Sequence, residues 1–130
     1  MDMIDRRALL DVKENPDRKL DYVITFSGEL ESSPQTHRIV LRYIPDRQVL
    51  DAHGFARYIE AIDKMSWDTP EDLAVTVLSD VNNEIVARWV QVSLSAPEQQ
   101  NSSITTHGVV IEDHQPGWEN RSLLGRLERI

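Results

Sequence analysis

Residues 42–58 read RYIPDRQVLDAHGFARY: the end of a strand, a turn and the first half of a helix. Upstream, His37 to Ile44 alternates Ile39, Leu41 and Tyr43 with Arg38, Val40 and Arg42, which predicts a strand with one apolar face and one mixed face. Pro45 and Asp46 stop it, since proline cannot donate to a ladder and aspartate favours turns. Downstream, Phe55, Tyr58, Ile59 and Ile62 recur at helical spacing with Arg57, Glu60 and Asp63 between them. Asp51 stands where a carboxylate can accept from the free N–H groups of the helix start.

Further along, Thr69-Pro70-Glu71-Asp72 opens a second helix with a capping hydroxyl, proline at the first helical position and acids in the first turn. Leu73, Val77, Leu78, Val81 and Ile85 give it an apolar stripe, and Asn82 and Asn83 weaken its far end. Arg88 to Leu94 and Thr105 to Glu112 alternate as two more strands, and Leu20 to Phe26 as the first, with a polar connection from Ser27 to Thr36. The order is β-β-α-α-β-β, an α+β fold: a four-stranded antiparallel sheet with both helices on one face. The other face and both edges are expected to be uncovered. Tyr43, Trp89 and the mixed strand faces argue that the other face does not simply meet water. Closing sheet edges between subunits removes the association hazard, so a ring-shaped homo-oligomer is expected.

The 130 residues suit one domain with a real core. Residues 1–19 are read as an N-terminal arm, 20–118 as the domain and 119–130 as a tail with a short helix from Ser122. In the arm, Ile4, Leu9, Leu10 and Val12 suit a docking segment, but a loosely held chain end is the preferred reading. A net charge of −8 and the lack of a Lys/Arg cluster argue against nucleic acid. No apolar run approaches the roughly 20 residues of a membrane helix. The N-terminal stretch has no signal-peptide core, so a cytoplasmic protein is expected. There is no Cys, which excludes a disulfide, a thiolate metal site or a thiol nucleophile from this chain. His37, His53, His107 and His114 are scattered, and no metal site is expected. Trp67, Trp89 and Trp118 read as core or interface aromatics.

Tyr43-Ile44-Pro45-Asp46, Val49-Leu50-Asp51, Tyr58 and Pro70-Glu71-Asp72 carry a family resemblance. From about Asn15 to Leu94 the chain resembles the NADPH-dependent 7-cyano-7-deazaguanine (nitrile) reductases of queuosine biosynthesis. These belong to the tunnelling-fold superfamily with GTP cyclohydrolase I, pyruvoyl-tetrahydropterin synthase and dihydroneopterin aldolase. The resemblance implies β-β-α-α-β-β subunits closing a barrel, with purine- or pterin-like ligands at subunit interfaces, anchored by a glutamate. That glutamate falls at Glu71, where a carboxylate can accept two parallel N–H bonds from a ring edge. Alone, Glu71 is also an ordinary first-turn acid.

The family's reaction does not carry over. Counted back from Tyr43 without gaps, the nucleophilic cysteine falls at Gly28 and the aspartate proton donor at Gln35, after Pro34. Nitrile reduction needs a thiolate on carbon and an acid for nitrogen, and neither residue supplies them. The family's Glu-Ser-Lys-Ser-Leu-Lys segment is Asp51-Ala52-His53-Gly54-Phe55-Ala56 here, without the two lysines that would meet NADPH phosphates. No cofactor is therefore expected. The resemblance therefore implies a heterocycle-binding protein that holds its ligand through Glu71 and Asp51, without the family's reaction. Two alternatives stand beside it: a hydrolase or lyase acting through His53 and Glu71, with His53 as acid or base, and a structural assembly partner.

Overall fold

The computed structural model describes residues 3–31, 36–97 and 103–127. Ten elements follow one another: α1 (Met3–Arg7), β1 (Val12–Glu14), β2 (Ile24–Leu30), β3 (His37–Ile44), β4 (Gln48–Leu50), α2 (Ala52–Asp63), α3 (Pro70–Ile85), β5 (Trp89–Pro97), β6 (Thr106–His114) and α4 (Arg121–Leu124). The main sheet is antiparallel throughout, in the order β2-β3-β5-β6, and β1 pairs with β4 in a small second ladder. The fold is α+β, with both long helices between the two strand pairs.

Alternation places the core. Phe26, Leu41, Val92 and Ile111 lie in one cross-strand row, and Ile24, Tyr43 and Val90 in the next, all on the helix side. Against them pack Phe55, Tyr58, Ile59 and Ile62 of α2 and Leu73, Ala74, Val77, Val81 and Ile85 of α3. Both helix starts are capped as their sequences predict: Asp51 accepts from Gly54 N and Thr69 from Asp72 N. The end of α3 is less ordinary. Val86 adopts φ 42°, a left-handed conformation that costs a β-branched residue energy. It closes the helix by donating to Asn82 O, while the Asn82 side chain accepts from Ala87 N.

Three expectations change. The first strand runs Ile24–Leu30 rather than Leu20–Phe26. Arg88 donates to Arg18 O and Leu20 O, and Leu20 is 56% exposed, so this approach is a loop over the sheet end. The strand instead continues through Ser27, Gly28 and Glu29, residues whose turn-like composition hides its alternation. The N-terminal segment is not a loosely held arm. Leu10 is buried, Leu9 and Val12 pack against the core, and β1 pairs Val12 with Leu50. The sheet face away from the helices is buried along the central strands, while Thr25, Ser27 and Glu29 of β2 and Val110 of β6 on that face are exposed. Ile44, Val40, Trp89, Gln91 and Ser93 on that face are buried, with Trp89 donating to Glu112 and Arg42 to Gln91. Tyr43 lies on the opposite, helix-facing side, where its hydroxyl accepts from Leu50 N.

Candidate functional site

Glu71 owes its place to the start of α3. Thr69 is extended (φ −143°) and its hydroxyl accepts from Asp72 N at 3.1 Å, so the first turn is pinned behind it. Pro70 supplies a preset φ at the first helical position. Helix α3 packs on β5 and β6, running antiparallel to the strand that follows it, so its start lies over the start of β6. His107, on the helix-facing row of β6, reaches across and donates from Nε2 to Glu71 Oε1. The carboxylate side chain is 53% exposed and the imidazole 35%. This carboxylate–imidazole pair sits beside the outermost strand of the sheet.

Asp51 and His53 lie elsewhere. Arg88 N donates to Ile44 O, which puts the end of α3 at the sheet end from which α2 starts. Glu31 N donates to Asp63 Oδ2, which puts the end of α2 at the other, with His107 and Glu71. The two helices are therefore antiparallel. At 1.5 Å rise per residue either side of the Tyr58–Asp80 contact, His53 and Glu71 are on the order of 20 Å apart along the helix axes. Within one chain the structure does not bring Glu71 together with either Asp51 or His53. His53 is exposed. Asp51 is occupied with the fold: Oδ2 caps α2 and Oδ1 lies 2.9 Å from Lys13 Nζ. The Lys13 bond, followed by the bond from Gly54 N, holds its carboxyl below the usual range.

Gly28 lies opposite Ile39 in β2. A Cβ there would sit 3.7 Å from Ile39 Cγ2 and 3.9 Å from Ile59 Cγ2, in ordinary contact with an apolar wall under α2. Gln35, Pro34 and the Ile4 side chain lie outside the described residues. The Trp67 indole donates to Ile62 O and the Trp89 indole to Glu112, which makes both structural. His114 Nδ1 lies 2.8 Å from the Gln115 carbonyl. Among the described residues, no three His, Asp or Glu side chains gather as metal ligands. An open groove of about 350 Å³ lies along α2 between Leu9, Arg57, Lys64 and Met65, with none of the expected site residues in its lining.

Two polar clusters escaped the sequence reading. Asp80 is 1% exposed on α3 and accepts from Arg6, Arg7 and the Tyr58 hydroxyl at 2.6–3.1 Å. Burial alone would raise its pKa, but the bonds from Arg6, Tyr58 and Arg7 outweigh that and hold it low. The same burial pushes the Tyr58 phenol up. The signal was an acid between Val77 and Val81 on an apolar stripe, with an Arg6-Arg7 pair to match it. The second cluster surrounds the Tyr-Ile-Pro-Asp turn. Asp46 accepts from Gln115 at 2.9 Å and faces Arg88, and its backbone carbonyl accepts from the buried Asn15 at 2.7 Å. The Gln115 bond leads the causes that hold its carboxyl low. Burial raises the Tyr43 phenol to about 12. This motif ties the N-terminal segment, the α3–β5 junction and the end of β6 into one corner.

No protein-family model matches the chain, and no curated protein sequence matches it. Among the described residues, no helix is long and apolar enough to cross a membrane.

Proposed function

We propose that this chain is a ring-forming, tunnelling-fold-like protein that holds a purine- or pterin-like heterocycle against Glu71 where subunits meet, and that it does not reduce nitriles. The observation that carries this reading is the position of Glu71. Its carboxylate is fixed by a capped helix start, half exposed in one chain, and placed beside the outermost strand β6. A second copy pairing along that edge would supply the missing wall and lower the local dielectric, which strengthens a bidentate carboxylate contact. Asp51 takes no part in this site of the same chain, because it caps α2 at the other end. The lack of any Cys removes the thiolate that a covalent nitrile adduct requires. The pairing of Glu71 with His107 rather than His53 weighs against the hydrolase or lyase reading through His53.

Calorimetric titration of guanine, 7-deazaguanine and pterin tests the proposal. Glu71→Gln keeps the shape but replaces one acceptor by a donor, so it should weaken binding at least about tenfold, near 1.4 kcal/mol. Equal binding by wild type and variant makes Glu71 an ordinary helix-start acid. No binding at millimolar concentration favours a structural assembly role.

A further inference from the structure

The Glu71 site already has an occupant, the imidazole of His107. A ring edge with two parallel N–H groups needs both carboxylate oxygens. His107 Nε2 engages Oε1, on the same carboxylate and from the strand side. Both side chains are partly solvated, at 53% and 35% exposure, and pairs of this kind add little stability. His107 stands one residue inside the start of β6, so its side chain can leave without disturbing the ladder to Ala96.

We propose that His107 is a built-in competitor for Glu71: the imidazole holds the carboxylate in the empty protein, and a heterocycle with an amidine-like N–H edge binds by displacing it. This rests on Glu71 being the ligand anchor and adds how that anchor is kept and released. A ligand offering a single N–H can use Oε2 with His107 in place, whereas a two-donor edge needs Oε1 as well and so has to displace the imidazole.

The test uses the full chain with 7-deazaguanine as the probe. His107→Ala and His107→Val both remove the imidazole donor, and the NMR readout separates lost competition from a change in packing. Both should bind 7-deazaguanine more tightly than wild type, by up to about fivefold, the equivalent of about 1 kcal/mol at 1.4 kcal/mol per decade. Ring-nitrogen NMR supplies a readout that needs no affinity. The His107 signals should move on Glu71→Gln substitution, and saturating ligand should move the wild-type signals the same way. If Glu71→Gln abolishes binding while the His107 variants bind equally or more weakly, His107 is a ligand contact or a bystander and the competition is overturned. His107 signals that ignore both Glu71→Gln and ligand overturn it as well. Failure of the Glu71 reading looks different: neither wild type nor the His107 variants bind, although the NMR coupling of His107 to Glu71 persists, and the competition falls with it. Binding by the His107 variants where wild type shows none supports it.

Discussion

Asp80 is a charge buried in the helical layer, balanced by two guanidinium groups and a phenol. Removing the charge leaves Arg6 and Arg7 without their anion, and breaking a buried pair from one side costs about 3–5 kcal/mol. Asp80→Asn should lose stability on that scale in urea unfolding. The pH dependence has a definite sign. The folded Asp80 carboxyl titrates below its unfolded value of 3.8, so its contribution is complete above that value and is lost as pH falls through the folded pKa. Urea midpoints measured from pH 6 down to 2 should fall below about pH 4 in wild type, with a smaller fall in Asp80→Asn. Val86 has the opposite sign. Its φ of 42° suits glycine, and its side chain is 58% exposed with little packing to lose. Val86→Gly should stabilise by up to about 1 kcal/mol, the left-handed strain relieved less the added freedom of the unfolded chain. A lower melting temperature would contradict that account of the junction.

At the scale of elements, the N-terminal segment lies on α2 through a close backbone approach. A Cβ on Gly54 would stand 2.6 Å from Leu9 O and 3.0 Å from Asp11 N, both backbone atoms. Gly54→Ala should therefore destabilise by about 1–3 kcal/mol and expose the N-terminal segment to limited proteolysis. Without the docked segment the same change would stabilise α2, by about 1 kcal/mol of helix propensity. The sign of one urea curve decides between these. This contact marks the limit of what the sequence offered. The β3 limits, both helix caps and the β-β-α-α-β-β order were legible because alternation, capping residues and Pro70 are local signals. Alternation alone predicts β2 four residues early, because Gly28 and its polar neighbours resemble a turn although they continue the ladder to Ile39. The docking of α1 and β1 depends on partners far along the chain, Asp80 and Leu50, which periodicity does not reveal. Of the site, Glu71 was legible as a capped first-turn acid. Its pairing with His107 was not, because it joins a helix start to a distant strand.

At the scale of the molecule, β2 and β6 are the outer strands of the sheet among the described residues, with Glu71 and His107 beside β6. The net charge of −8 makes copies repel, so association through these edges should strengthen as salt rises toward physiological ionic strength. A ligand site completed between subunits requires that subunits associate. Light scattering on purified protein at micromolar concentration tests this most directly. A single species at a multiple of 14.9 kDa is expected, with no monomer remaining at physiological salt. A stable 14.9 kDa monomer under those conditions would contradict it.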